Sequence, residues 1–505
     1  MARFIVTITP PTPNGDLHLG HLSGPFLAAD ICARVLRQKR HDVVLLSYSD
    51  DYQSYLLRKA RQTGQEPTDI AATNADAMMK SLASVDIELS HFLKAFGNRY
   101  FLEEVNRYFD IVDRKGAIVS RTAPIPYCEG CGVFGYEGFA RGTCNYCGGS
   151  SDASQCECCA NVPDLERMSS IRCILCGEAM ESRIVEHLVW RIGASYGQLS
   201  ERYRGINHRS SLKGFLAKRL RQTHDEWPLT RPGEQAIPLE RYPDQPIHTW
   251  FAGLAGYRAT LREYLASSGG DLHDWWSGDT SLVQFLGFDC AYSHVIAYAS
   301  QLALERNGPS RLFHFTNRFL QLDGQDFSTS RGHAVWIRDA SAKYPVDAVR
   351  LYAGLHAPED EVKNFSLVDF ENWVQEWYVP KVAHGTWKRT DARRAAALPK
   401  TPCDLGCEWS ALFKDWTTAT KLETFSISKL ASVQLRAVAL IEAAPLDQHD
   451  VRWLLYAHLG EAVHPRLSQD IVAALPERHS EALELISKLT FDRTTVDKEL
   501  YPLLS

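Results

Sequence analysis

Four Cys-x-x-Cys pairs crowd one short stretch: Cys128 with Cys131, Cys144 with Cys147, Cys156 with Cys159, and Cys173 with Cys176. Two thiolates so spaced on a tight turn can share one tetrahedral metal, and two such turns close a four-sulfur site with no open position, the ligand set of structural zinc. Eight thiols imply two zinc ions, and residues 125–180 must fold around them rather than around an apolar core. Sequential and nested pairings both satisfy the spacing. Nine of the 13 cysteines fall between Cys128 and Cys176, and Cys158 is left over as a non-ligand. The opening MARFIVTITPP reads as a strand rather than a secretion signal, so the cluster points to metal in a reducing cytoplasm, not to disulfides.

A chain of 505 residues allows three or four structural units of about 150 residues each. A formal charge of −6 does not mark a nucleic-acid binder, although a local basic stretch could still hold RNA. There is no apolar run of about 18 residues, so no membrane span is expected. Residues 3–9 and 42–51 read as buried strands, with helices over 22–40, 52–63 and 67–84. Strand, helix, strand without hairpin signals indicates a doubly wound parallel sheet, an α/β fold. Sheet-like runs return at 246–256 and 281–290. Helical spacing then dominates at 367–393, 406–420, 424–443, 448–462, 466–474 and 478–489.

The turn PNGDLHLGHLSG follows the first strand, where a nucleotide lies in a doubly wound sheet. A helix start there offers free N–H groups to phosphate. His18 and His21 can face one side, and Gly20 between them leaves room for a ring or a phosphate to approach the backbone. This stretch resembles the His-(Ile/Leu)-Gly-His signature of class I aminoacyl-tRNA synthetases, and in detail the methionyl-tRNA synthetase family. LLSYSDD, TWFAGLAGY at 249–257 and FLGFDCAYSH at 285–294 resemble further family segments in the same order. The resemblance implies a Rossmann-like catalytic domain with a zinc-knuckle insertion and a C-terminal helical bundle. Its divisions would be 1–118 and 236–320 for the catalytic halves, 119–235 for the insertion, 321–380 for the phosphate-loop region and 381–505 for an anticodon-binding-like domain.

Carried over residue by residue, the resemblance implies that His18 and His21 are catalytic, and that Asn14, Gly20 and Asp289 bind ATP, Asp289 through the ribose. Asp51 would meet the amino acid's ammonium, with Pro10, Thr12, Trp250, Tyr257 and His294 around it. ATP with magnesium and an amino acid would be substrates. Several positions depart from the family: Thr12 stands for an aromatic Tyr, Leu254 for Pro and Cys290 for Ile. In AAPLDQ, Leu446 stands where a Trp would stack on an anticodon base, unless it is simply bundle core.

QDFSTSRGH at 325–333 aligns with the family's Lys-Met-Ser-Lys-Ser-Arg-Gly, which closes over the triphosphate. Asp326 and Thr329 replace both lysines, while Ser328, Ser330 and Arg331 remain as catalytic candidates. A donor aimed at developing charge is worth roughly 10²–10³ in rate, so activation is expected to be slow, or rescued by Arg331 or another basic group, or absent. Three functions follow as expectations. One is a divergent paralog that activates an amino acid for a non-standard acceptor. Such relatives in specialised metabolism form an ester with a hydroxylamine, usually beside a cupin domain that would here be a separate partner. The others are a methionine–tRNA ligase and a non-catalytic pseudo-synthetase that binds tRNA or a protein.

Overall fold

The computed structural model describes residues 2–476, except 223, 232–236, 306, 328–331 and 389–404, together with 480 and 482. The predicted helix over 478–489 falls largely outside the described residues.

Five strands form the central sheet: β1 (Arg3–Ile8), β2 (Asp42–Ser49), β3 (His91–Lys94), β4 (Thr280–Gly287) and β5 (Arg311–Asn317). Their order is β5-β4-β1-β2-β3, and every pairing is parallel. The run FIVTI is apolar on both faces because both are covered. Ile5 and Leu282 point into one core, and Val6, Ile8, Val283 and Phe285 into the other. The second core continues without a break into the C-terminal helices, through Trp409, Leu430 and Trp453.

Between β3 and β4 the chain leaves the sheet along an antiparallel ribbon, Ile118–Cys128 against Glu181–Trp190. Ile118 pairs with Trp190 at its base and Tyr127 with Glu181 at its tip, so the insertion starts and ends at one place. The cysteine turns lie at and beyond the tip.

Two sequence expectations are corrected. Of the sheet-like run at 246–256 only Pro246 and Ile247, the end of the strand Tyr242–Ile247, are strand, and Thr249–Leu254 and Gly256–Ser268 are helices. Burial on several sides hid the helical period, and His248 caps the first helix by accepting the Trp250 N–H at 2.9 Å. The helix expected over 22–40 starts at Leu19, widens into a π turn at Leu22–Phe26 and becomes regular only over Leu27–Gln38. Pro25 supplies no N–H there, and Gly24 is non-helical.

Arg350, fully buried, joins the helical bundle to the sheet. It donates to Asp30 at 2.7 Å, Val85 O at 2.8 Å, Ala462 O at 2.9 Å and Val463 O at 2.8 Å. Leaving Asp30 and three carbonyls short of this donor should cost about 3–5 kcal/mol. The Arg350→Ala variant is therefore expected to unfold at a clearly lower urea concentration than wild type. An unchanged midpoint would contradict this account of the joint.

Candidate functional site

The eight paired cysteines form two clusters. Cys128, Cys131, Cys173 and Cys176 make one, and Cys144, Cys147, Cys156 and Cys159 the other, with all Sγ atoms of a cluster within 4.8 Å. The pairing is thus nested, which the spacing left open. Sulfur–sulfur separations of 3.6 Å (Cys128–Cys176 and Cys147–Cys156) and 3.9 Å (Cys144–Cys159) suit zinc, since a tetrahedron with ~2.3 Å bonds puts its sulfurs about 3.8 Å apart. Each turn closes in the same way: the residue after the second cysteine has positive φ and donates its N–H to the first cysteine's carbonyl. Gly132, Gly148 and Gly177 do so freely; Ala160, at φ 60°, does so against its Cβ. Cys158 stands outside both clusters and faces the cleft described next.

A cleft of about 710 Å³ opens at the carboxyl ends of the parallel strands. That is within the usual range for small-ligand sites, and at the edge where doubly wound sheets bind them. Thr9 to Thr12 enter it from the end of β1, Asp50 from β2, Asp289 and His294 from beyond β4, and Asn317 and Arg318 from β5. His18, Gly20, His21, Pro10, Thr12 and Trp250 line it as well. Asn14 instead lines an adjoining recess of about 300 Å³ that shares Thr12 and His21 with the main cleft.

His18 and His21 stack with centroids 3.8 Å apart, and the His18 N–H donates to His21 Nδ1 at 3.2 Å. Burial, with His21 adding to it, pushes the His18 imidazole down to about 2, and burial pushes His21 down to about 4. Both rings are therefore neutral near pH 7 and carry no positive charge into the cleft. The first N–H of the following turn is not free for phosphate, because Leu19 donates to Val335 O at 2.9 Å.

Asp289 accepts from Gln155 Nε2 at 3.1 Å, so a residue of the inner cysteine turn touches the carboxylate expected to hold ribose. Burial, then the nearby Glu157, raises the Asp289 carboxyl to about 6. This contact spans 134 positions in the chain and no local pattern announces it.

Asp51 does not reach the cleft. Strand β2 ends at Ser49, and the chain turns so that Asp51 points back and accepts the Phe96 N–H at 2.8 Å. Asp50 faces the cavity instead, with Gln53 donating to it at 2.5 Å, and burial raises its carboxyl to about 7. Tyr257 is also displaced from its expected place. It is 1% exposed and lies behind the wall, its hydroxyl 2.7 Å from His294 Nε2. Trp250 does line the cleft and donates from Nε1 to Glu137 at 3.0 Å. Buried Glu137, from the insertion, had no signature in the sequence.

At the mouth, Gln325–Asp326 pairs antiparallel with Leu320–Leu322, and Gln321 Nε2 donates to Asp326 at 3.1 Å. Asp326 lines the cleft. Ser328, Thr329, Ser330 and Arg331 lie outside the described residues. Leu446 is not bundle core: it is 58% exposed on the turn Leu446–Gln448. Among the described residues, no helix is long and apolar enough to cross a membrane.

The family described as "tRNA synthetases class I (M)" matches residues 4–382. Methionine–tRNA ligase of Methanobrevibacter smithii is 26% identical over 375 residues, covering 74% of this chain and 56% of that protein. The Methanopyrus kandleri enzyme of the same name is 25% identical over 399 residues, covering 77% and 59%. The Thermoplasma acidophilum one is 27% identical over 415 residues, covering 80% and 75%. The chain thus matches less than two thirds of the length of the first two relatives. The structure of Mycobacterium tuberculosis methionyl-tRNA synthetase in complex with methionyl-adenylate superposes with a TM-score of 0.70 at 15% identity, over 96% of both chains, a likeness of fold.

Elemental analysis of the purified chain should find two zinc ions. Cys128→Ser and Cys144→Ser should each lose one of them and render the insertion sensitive to limited proteolysis. A zinc-free wild-type chain with an intact insertion would overturn the assignment.

Proposed function

The chain belongs to the class I tRNA synthetase (M) family, and from that premise we propose that it uses ATP to activate an amino acid and passes the acyl group to an acceptor other than ordinary methionine tRNA. The observation that carries this reading is the meeting of His18, His21, Asp289 and Asp50 on one cleft whose mouth presents Asp326. In the first step a carboxylate oxygen of the amino acid attacks the α-phosphorus of ATP. The bond to the bridging oxygen breaks, and pyrophosphate leaves as its magnesium complex. In the second step the acceptor's nucleophilic atom attacks the acyl carbon, loses its proton, and AMP departs.

Each residue has a part in this scheme. Asp50 pairs with the substrate's ammonium, and Asp289 accepts from the ribose hydroxyls. Neutral His21 hydrogen-bonds to the phosphate chain, and neutral His18 offers its ring face, beside Gly20, to the base. Thr12, Leu254, Cys290 and His294 shape the side-chain pocket, in which the small Thr12 leaves space. The relatives' shared name favours a second reading, an ordinary methionine–tRNA ligase. Asp326 argues against it, because closure would bring a negative charge toward the departing pyrophosphate.

Amino-acid-dependent ATP–pyrophosphate exchange across a substrate panel separates the two. Slow exchange, strongest with an amino acid other than methionine, is expected. Replacing Asp326 and Thr329 together by lysine should raise it by on the order of 10²-fold, short of the full product of two donors because coupled groups do not add. Charging of methionine tRNA at an ordinary synthetase rate by the wild type would refute the reading.

The Asp50 carboxyl, held at about 7 by burial, is mostly neutral at pH 6 and ionised at pH 8. Amino-acid affinity should therefore rise about tenfold between those values, since only the carboxylate pairs with an ammonium. The Asp50→Asn variant should bind weakly with a flat profile, and a wild-type profile that is equally flat would exclude Asp50 as the ammonium partner.

A further inference from the structure

Gly20 leaves its side open to an approaching ring, and the ring that takes this space belongs to the protein. A Cβ at position 20 would stand 3.2 Å from Phe327 Cδ2 and 3.0 Å from the His18 ring. The Phe327 ring lies on His18 with centroids 4.8 Å apart and planes at 22°. His21 also stacks on His18, at 3.8 Å, and Trp336 lies 6.2 Å from it. A planar base inserted between two rings would need about 7 Å, twice the ~3.5 Å contact distance between carbon atoms. The gap between His18 and Phe327 cannot hold one, so an aromatic ligand and Phe327 exclude each other at this shelf.

Phe327 is also well placed to stay. It follows Gln325–Asp326, which is paired to Leu320–Leu322, and Asp326 is tied to Gln321. The side chain is half-buried and packs against the same core as Leu19 and Leu320.

We propose that Phe327 is a built-in occupant of the nucleotide base shelf, resting on His18 and Gly20 until a purine displaces it. The inference rests on the reading of this cleft as a nucleotide site. It adds that nucleotide affinity is held down by an internal aromatic competitor, independently of the missing lysines. A ligand that uses only the phosphate region does not meet this competitor, whereas any ligand carrying a base does.

The test is calorimetric binding of AMP and, separately, of pyrophosphate to the full-length, zinc-loaded chain and its variants. Phe327→Ala should bind AMP roughly 3- to 10-fold more tightly than wild type, the worth of one ring stack. Its pyrophosphate affinity should not change. Phe327→Tyr, which keeps the ring, should match wild type for both ligands. Equal or weaker AMP binding by Phe327→Ala would overturn the proposal, because the ring would then be neutral or a contact for the base. An equal gain for pyrophosphate would also overturn it. Absence of AMP binding in every variant would bring down the nucleotide reading along with it.

Discussion

The site depends on one constraint: β1 sits in the middle of a parallel sheet. Because all five strands run the same way, their carboxyl ends open on one edge, and whatever follows each strand is delivered there. Thr9 to Thr12, Asp50, Asp289 and Arg318 come from four different strands and share a cleft for this reason alone. The same constraint requires cover on both faces, which accounts for the two cores and for the helical bundle being fused to one of them. Parallel neighbours also need long crossovers, and the longest, between β3 and β4, carries the cysteine-rich insertion. That crossover tolerates the insertion because the ribbon's two ends meet at Ile118 and Trp190.

Electrostatics then set what such a cleft can receive. Its walls carry Asp50, Asp152, Glu157, Asp289 and Asp326 against Arg141 and Arg318. Arg141 is already engaged by Glu157 at 3.1 Å, and His18, His21 and His294, all lowered by burial, contribute no charge near neutrality. Burial raises Asp50, Asp152 and Asp289, which lessens their mutual repulsion by leaving part of the set protonated near neutrality. A site of this sign suits an ammonium group, and suits a triphosphate that arrives with its charge neutralised by magnesium.

The sequence disclosed what depends on local spacing. The strand–turn–helix at residues 3–38 follows from an apolar run broken by prolines, and the eight clustered thiols from four two-residue gaps. What it hid depends on direction or distance. The choice between Asp50 and Asp51 turns on how the chain bends after Ser49, which a period of two cannot foretell once the strand has ended. The helix at 249–254 was hidden because residues buried on several sides show no amphipathic period. For Leu446 the sequence left bundle core open as one alternative, yet the residue sits exposed on a turn beside Pro445. Gln155 and Glu137 act through contacts with residues far along the chain, and nothing near them signals it.

Those two residues change how the insertion is to be understood. Glu137 accepts from Ser54 at 2.9 Å and from Trp250 at 3.0 Å, and also pairs with Arg231. One buried carboxylate thus fixes the insertion to the helix after β2 and to Trp250 in the cleft wall. Gln155, beside Cys156, reaches the Asp289 carboxylate in the cleft, and the Asp152 carboxylate accepts from Tyr55. The cysteine turns are therefore more than a remote staple, because the backbone they shape carries side chains into the cleft. A buried acid bound by three partners from separate segments keeps its geometry only while all three stay in place. The order imposed by two four-cysteine clusters on a stretch without much apolar core thus reaches Trp250 and Asp289 through two short hydrogen-bonded links.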